Sequence, residues 1–145
     1  MFYRFTNQHI IVLTPEHLLE IFKHKSLYLS DRSTKKIPPE LGQLSNFWEL
    51  SLHNHELAQL SFSFQNLHHL EILNVDNNQL TSVPPDIIKA QKLYTLYLYK
   101  NQLKSVPGTF SQLPQLRRLY LQNNPLAESE KERIQQLLSE CKISF

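Results

Sequence analysis

A repeat of 23 residues constrains the fold of this chain more than any other feature of its sequence. The repeat carries two apolar residues separated by one other residue, and it occurs five times. The first apolar position holds Leu27, Leu50, Leu73, Leu96 and Leu119, and the second holds Leu29, Leu52, Val75, Leu98 and Leu121. Because side chains alternate between the two faces of a strand, each pair lies on one face of a short strand. One unit cannot bury its own leucines, so the units must stack and their strands form a parallel sheet.

The second half of the unit also repeats, and it predicts how the chain leaves the sheet and returns to it. Three units place an asparagine five residues after the first leucine, at Asn78, Asn101 and Asn124. An asparagine there can hydrogen-bond the backbone groups of the turn that follows the strand. Three units also place a proline directly after an isoleucine or a valine, at Pro38, Pro84 and Pro107. We expect this proline to begin a return segment whose apolar residues cover the core from the far side.

Two stretches show the pattern best, LEILNVDNNQLTSVPPDI (70–87) and LYTLYLYKNQLKSVPGTF (93–110). They resemble the leucine-rich repeat family in its L-x-x-L-x-L-x-x-N-x-L-x-x-[LIV]-P form, and the resemblance extends over about residues 24 to 126. It implies an α/β fold, a leucine-rich-repeat solenoid with a short curved parallel sheet of about five repeats.

The first two units depart from this pattern. The first has Arg32 and Thr34 where the family has asparagine and leucine. The second has His55 in place of asparagine, and Ser61 stands where the proline would be. We expect these two units to be less regular than the three that follow them.

The length of 145 residues fits a single domain, 1–145, with a cap at each end. We assign residues 1–23 to an N-terminal cap, a hairpin followed by a helix, and residues 24–127 to the repeats. Residues 128–145 are predicted to form a C-terminal cap helix, because Ser129 and Glu132 have the spacing of a capping box. Caps cover the apolar ends that an open solenoid would otherwise expose.

The N-terminal cap has a second interpretation. The segment LTPEHLLEIF (13–22) looks like the opening helix of an F-box, which recruits ubiquitin-ligase machinery and often precedes leucine-rich repeats. An F-box needs a longer helical segment than this one, whereas the repeat register begins here by His24. We therefore favour a simple cap, and an F-box-like substrate adaptor of a ubiquitin ligase stays as the alternative function.

The two termini also bear on where the protein acts. The longest apolar run near the N-terminus, residues 10–13, is too short for a secretory signal or a membrane span. We therefore expect a cytoplasmic protein. The acidic tail with Glu128, Glu130, Glu132 and Ile143 is similar to the C-terminal export signals of type IV secretion effectors, or it is simply the solvated face of a helix. The short repeat module as a whole resembles secreted effectors of intracellular bacterial pathogens.

Composition and spacing argue against chemistry on this chain. Only two glycines are present, which excludes a glycine-rich phosphate cradle, and the single cysteine excludes a disulfide framework or a multi-cysteine zinc module. His53 and His55, and likewise His68 and His69, lack carboxylates at ligand spacing, and Cys141 has no nearby histidine to serve as its base. With a net charge of +2 there is little support for nucleic-acid binding. We expect no metal, no cofactor, no enzymatic activity and no membrane or nucleic-acid partner.

The residues between the leucines are predicted to face outward on the concave side of the sheet, and they form our candidate binding site. Tyrosine offers a large contact area with few rotatable bonds, and tyrosine and arginine dominate interface energetics. The general preference of aromatic residues for strands explains their presence on the strands but not their choice of the exposed face. The predicted site residues are Tyr28, Glu49, His53, Asn74, Asp76, Tyr97, Tyr99, Lys100, Arg118, Tyr120 and Gln122.

Within this set, we predict that three tyrosines of the last two units, together with Arg118 and Lys100, form the centre of binding. Trp48 lies at either the rim or the core. The predicted function is non-catalytic recognition of one folded protein, a host protein or another effector, by a chain that is monomeric outside the complex. If that partner is an enzyme, a rigid curved sheet is well shaped to cover and inhibit its active site.

Overall fold

The structure, a computed structural model, describes residues 23, 25–29 and 34–145. Within this part of the chain, six strands form one parallel sheet in chain order. They are β1 (Ser26–Tyr28), β2 (Glu49–Ser51), β3 (Ile72–Asn74), β4 (Thr95–Tyr97), β5 (Arg118–Tyr120) and β6 (Lys142–Ser144). From β1 to β5 each residue pairs with the one 23 positions later, so the sequence period is also the register of the sheet. The predicted α/β solenoid with a parallel sheet is confirmed.

The repeated leucines form the core, as the spacing predicts. Leu50, Leu73, Leu96 and Leu119 are all 0% exposed. Opposite them lie short 3₁₀ helices at Pro39–Gln43, Pro85–Lys89 and Gly108–Gln112, each of which follows a proline of the repeat. These helices bury Leu41, Ile87 and Phe110 against the strands. Proline is suited to this place because its fixed φ favours the start of a helix and its missing N–H is not needed there.

The asparagines bind neighbouring repeats together at the turns after the strands. The Nδ2 group of Asn78 donates to the carbonyl oxygens of Leu52 at 2.9 Å and Val75 at 3.0 Å, while its Oδ1 accepts from the N–H of Leu57 at 3.1 Å. Asn101 makes the equivalent three hydrogen bonds one repeat later. The bonds to the turn of the same repeat were predicted, and those to the preceding repeat were not. Each amide thus satisfies backbone groups of two repeats, which would be costly to bury unpaired.

The residue before the asparagine position of the repeat, which His55 occupies in the second unit, adopts the left-handed conformation. Asn54, Asn77 and Asn123 have φ between 52° and 62°, and Lys100 has φ of 56° at the equivalent position. Asparagine tolerates this region better than other non-glycine residues because its short side chain can hydrogen-bond locally. The repeat thus forms its turns with asparagine, which is why a chain with two glycines can build them.

The second unit is less regular than the later ones, as expected. It lacks the proline and contains no 3₁₀ helix among its described residues. Its His55 occupies the asparagine position and uses Nε2 to hydrogen-bond the carbonyl oxygen of Leu29 at 2.6 Å. A glycine compensates for this irregular return segment, since any Cβ on Gly42 would clash with the backbone carbonyl of Ser63 in the second unit.

The C-terminal cap differs from the prediction of a helix over 128–145. The helix, α1, covers only Glu128–Leu137, and the chain then turns back so that β6 pairs in parallel with β5. This strand satisfies backbone groups at the open edge of β5, for example through the N–H of Leu121, which donates to the carbonyl oxygen of Ser144 at 2.7 Å. The end of the solenoid is therefore closed by a helix and a sixth strand together.

Two details of this cap were also predicted wrongly. The N-cap residue of α1 is Ala127, without a side-chain cap, so Ser129 and Glu132 do not form a capping box. Cys141 follows the helix instead of lying on it, and its half-buried side chain packs against the core.

The N-terminal predictions fall outside the described residues, apart from Lys23. They include the cap over 1–23, the hairpin within it and the F-box-like segment 13–22, and they remain predictions. In the part of the chain that the structure describes, no helix is long and apolar enough to cross a membrane.

Candidate functional site

The sheet brings the predicted site residues together on the side opposite the leucines. The register places Ser51, Asn74, Tyr97 and Tyr120 in one row, because β2 to β5 pair at equivalent positions. Smaller members of this face contribute little surface, since Ser51 and Thr95 are each only 3% exposed between larger neighbours. The outward positions of the sequence therefore form one continuous face, which we call the concave face, but its accessible surface comes mainly from the large residues.

The C-terminal half of the concave face is aromatic. The rings of Tyr97 and Tyr120 are stacked, with centroids 4.7 Å apart and planes 6° apart. Tyr99 is 38% exposed beside them. The guanidinium carbon of Arg118 lies 5.5 Å from the ring centroid of Tyr94, an aromatic residue at the rim that the predicted set does not include. The predicted centre of binding thus divides into a tyrosine stack and a cation–π pair at the edge of the sheet.

The N-terminal half of the concave face is polar. The hydroxyl of Tyr28 donates to Oε2 of Glu49 at 2.5 Å, and this hydrogen bond raises the pKa of Tyr28. His53 is hydrogen-bonded through Nδ1 to the hydroxyl of Ser51 at 2.7 Å. Tyr28 is the most exposed of the large hydrophobic side chains on the described chain, at 55%. This half offers hydrogen-bonding groups where the other half offers ring surface.

Asp76 lies between these two halves. Its Oδ1 accepts from the backbone N–H of Tyr99 at 2.6 Å, and its own N–H donates to the side chain of Asn74 at 3.0 Å. Burial raises the pKa of Asp76 to about 6, an effect that the hydrogen bond from Tyr99 only partly offsets. His53, at the equivalent position of the preceding repeat, is bonded to Ser51 and, within the described residues, forms no ion pair with Asp76.

The remaining predicted residues lie at the edges of this face. Lys100 is exposed on the left-handed turn after β4. Gln122 is half-buried, and among the described residues its Oε1 is buried without a hydrogen-bond partner. Trp48 lies at the rim, 37% exposed, and lines a shallow pocket of about 400 Å³ with Glu71 and three other residues. The rim residues Trp48, Glu71 and Tyr94 share one position in the repeat, two residues before the first leucine. The repeat register could therefore have identified Tyr94 as a rim residue from the sequence.

The structure offers few groups for catalysis. Over 34–145 and the few described residues before them, no cluster of three or more histidine, cysteine or acidic side chains could hold a metal ion. Burial raises the pKa of the Cys141 thiol to about 11, so this thiol is protonated at neutral pH and is a poor nucleophile.

Comparison with known proteins agrees with the repeat. The family model for leucine rich repeats matches residues 68–126. The chain is similar to the structure of a leucine-rich repeat protein of Leptospira interrogans, with 32% identity and a TM-score of 0.66, over 88% of this chain and 39% of that one. This chain therefore spans less than half the length of that relative.

Two more distant structures show the same fold. One is the Drosophila melanogaster SNF/U2A′ complex, with 19% identity and a TM-score of 0.71, over 83% of this chain and 72% of that one. The other is an internalin of Listeria monocytogenes, with 23% identity and a TM-score of 0.59, over 81% of this chain and 33% of that one. With its 23-residue register, its parallel sheet and these likenesses, the chain is a leucine-rich repeat protein.

Proposed function

We propose that the protein binds one folded protein partner through the concave face and does so without catalysis. Leucine-rich repeat domains typically bind proteins, and one of the similar structures is itself a complex, SNF/U2A′. The observation that carries the proposal is the aromatic half of the face, where Tyr97 and Tyr120 stack and Tyr99 is exposed. These large rings lie on the face of the sheet opposite the hydrophobic core.

The dimensions of the face support a protein partner. Neighbouring strands lie about 4.8 Å apart, so five strands span roughly 20 Å. The strands themselves are about 10 Å long, so a standard interface of roughly 800 Å² per partner would take in the rim and the turns beside the face as well. The stacked tyrosines also present their rings already ordered, which reduces the entropy lost when a partner binds.

The finer parts of the proposal concern the consequence of binding. We propose that the partner is an enzyme whose active-site mouth the curved sheet covers, so that the chain acts as an inhibitor. We place this action in the cytoplasm of a host cell, with the chain as a secreted effector that is monomeric until it meets its target. The proposal is supported by the exposed aromatic residues of the concave face and by the resemblance of the tail to an export signal.

The tail that resembles an export signal is not an entirely exposed acidic segment, because one of its glutamates is used by the fold. Glu130 accepts from the N–H of Val106 at 3.1 Å and pairs with Arg133 at 2.6 Å, so this carboxylate holds α1 against the preceding repeat. The arginine also lowers the pKa of Glu130. Glu132 is exposed, and so is Glu128, which pairs with Lys131 at 3.0 Å on the helix surface; we propose that these two carboxylates are what an export machinery recognises.

The proposal is tested by capturing a partner and then altering the aromatic half of the face. A partner captured on the immobilised protein is purified, and its dissociation constant is measured calorimetrically for the triple variant Tyr97→Ala/Tyr99→Ala/Tyr120→Ala. We expect a loss of at least about 100-fold, as for the removal of clustered binding hot spots. The matched control removes three exposed side chains from the opposite surface, Gln65→Ala/Lys89→Ala/Gln112→Ala, and should bind normally.

Undiminished binding of the tyrosine variant would refute the proposal. The inhibitory part is assayed separately on the purified partner, if it has enzymatic activity. Full activity of that enzyme in the saturated complex would refute inhibition while leaving recognition in place.

A further inference from the structure

Asp76 is unusual among the charged residues of the concave face because it is half-buried without a cation. Its equivalents in the neighbouring repeats are His53 on one side and Tyr99 on the other. Of its two carboxylate oxygens, Oδ1 accepts from the N–H of Tyr99 at 2.6 Å. Among the described residues, no lysine, arginine or histidine forms an ion pair with it. The carboxylate therefore keeps Oδ2 as an acceptor on an aromatic surface.

The other charged and titratable groups of this face are directed elsewhere. Arg118 lies over the ring of Tyr94, and Glu49 is bonded to the hydroxyl of Tyr28. His53 is bonded to Ser51. The remaining groups on the strands and turns around Asp76 are Tyr97, Tyr99, Lys100 and Tyr120. Tyr97 is near enough to Asp76 for the carboxylate to contribute to the raised pKa of its hydroxyl. None of these groups neutralises Asp76 within the described chain.

We propose that Asp76, with the rings of Tyr97 and Tyr99, forms a seat for one lysine or arginine side chain that the protein partner projects into the concave face. This inference rests on the proposed function and specifies the chemistry of the partner. The carboxylate would accept a charge-assisted hydrogen bond from the ammonium or guanidinium group. The tyrosine rings would contact the same cation through their faces.

The charge of the seat selects a basic side chain over a neutral or acidic one. An apolar partner surface would displace the remaining water from the half-buried carboxylate and would offer no hydrogen-bond donor in its place. Covering it with an acidic group adds repulsion between like charges. A neutral donor can replace one hydrogen bond of that water, whereas a cation supplies both a hydrogen bond and an opposite charge, so charge complementarity favours a basic occupant.

The seat also predicts how binding depends on pH. Burial raises the pKa of Asp76 to about 6, so the free protein carries this negative charge only above that pH. A bound cation favours the ionised form. Affinity for a basic side chain should therefore be full above pH 7 and decline as the pH falls through 6.

The test uses the full chain labelled with ¹⁵N and two small probes of nearly the same shape, one charged and one neutral. Nα-acetyl-arginine amide carries the guanidinium group, and Nα-acetyl-citrulline amide is its neutral isostere. At pH 7.5 we expect the arginine probe to shift the amide resonances of Asp76, Tyr97 and Tyr99 in a saturable manner, with the citrulline probe weaker by at least about 5-fold. At pH 5 the arginine affinity should fall by about 10-fold, as expected for a group with a pKa of about 6.

The substitution Asp76→Asn removes the charge and keeps the shape, and it should abolish the preference for the arginine probe. Asp86→Asn is the matched control, because that carboxylate also accepts a backbone hydrogen bond, from Phe64 at 3.2 Å, but belongs to a return helix. The inference fails if the two probes bind equally, if the arginine probe causes no shift at these residues, or if Asp76→Asn still prefers arginine. The amide spectrum of each variant shows in the same experiment that it is folded.

A second arm separates this inference from the proposed function. The partner captured through the concave face is titrated with Asp76→Asn and with the triple tyrosine variant. Binding lost with the tyrosines and unchanged in Asp76→Asn would overturn the seat and support recognition by the face. Binding unchanged in the tyrosine variant would overturn the proposed function itself. Binding weakened in both variants, with the pH dependence lost in Asp76→Asn, would support the seat.

Discussion

The two sides of each strand obey different rules, although their residues alternate along the same short segments. On the core side, the first leucine position is leucine in all five repeats, and each of these residues is at most 2% exposed. On the concave side, the residue between the two apolar positions changes from repeat to repeat, as Tyr28, Ser51, Asn74, Tyr97 and Tyr120. Stacked units present the same space to each core residue, so one residue type fits all of them. Nothing in the stacking requires a particular residue on the other side.

This contrast separates the requirements of the fold from those of binding. The turn asparagines belong with the core, because Asn78 and Asn101 make the same three hydrogen bonds one repeat apart. Neither the tyrosine stack nor the half-buried Asp76 recurs among the described repeats, since the positions equivalent to Asp76 hold His53 and Tyr99. Residues that recur should therefore affect stability when changed, and residues that do not recur should affect binding.

The largest effect is expected from neighbouring residues on opposite sides of β4. Leu96→Ala should lower the free energy of unfolding by about 4 kcal/mol, because it removes a fully buried side chain and leaves a cavity. Tyr97→Ala should lower it by only about 1 kcal/mol, the contribution of one aromatic stack. Urea denaturation followed by circular dichroism measures both. Equal losses would show that the concave face is as much a part of the fold as the core.

The next largest effect tests whether the turn asparagines are as important for stability as the core leucines. Asn101→Ala should cost about 2 kcal/mol, since the N–H of Leu80 loses its acceptor in a buried turn. The carbonyls of Val75 and Leu98 each lose one donor and keep a second, from Asn78 and Asn124. The matched control is its exposed neighbour, Gln102→Ala, which should change stability by less than about 0.5 kcal/mol. A loss below about 1 kcal/mol for Asn101→Ala would mean that water replaces the amide, and that the turns are not part of the core.

Most of the fold could be predicted from the sequence because the period of the repeat is also the register of the sheet. The C-terminal cap could not, for a specific reason. Ile134, Leu138 and Cys141 continue a helical spacing through the turn that ends α1, so periodicity alone cannot place its end. The strand β6 exists through its pairing with β5, where Leu119 lies opposite Ile143 at an offset of 24 residues. This non-local contact breaks the 23-residue period and leaves no repeat signal.

The candidate site was predictable as a face but not as an arrangement. Alternation along the strand identified which side Tyr97, Asp76 and Arg118 occupy. The stacking of Tyr97 on Tyr120, and the placement of Arg118 over Tyr94, depend on side-chain conformations chosen across neighbouring strands. The environment of Asp76 depends likewise on a backbone N–H of the next repeat. Such choices follow from packing in three dimensions, which spacing along the chain does not specify.

The smallest effect, and the one that sharpens the comparison most, is expected from Asp76→Asn measured as stability. The folded pKa of about 6 lies above the ordinary value of 3.8, so the native state binds the proton more tightly than the unfolded state between these values. The stability of the natural protein should accordingly fall as the pH rises through this window, and the ionised carboxylate should destabilise the fold above it. The difference between the two values corresponds to about 3 kcal/mol for a fully buried group, which solvent screening at this half-exposed site reduces to about 1 kcal/mol.

Asp76→Asn should therefore be more stable than the natural protein by about 1 kcal/mol at pH 7.5 and equally stable near pH 3.5, where both side chains are neutral. Urea denaturation at the two pH values measures the difference, with Asp86→Asn as the control that should show no such gain. A variant that is less stable at pH 7.5 would mean that the carboxylate stabilises the fold, so that Asp76, like the core residues, would be required for folding. A gain in stability that accompanies a loss of binding is what distinguishes a residue kept for a partner from one kept for packing.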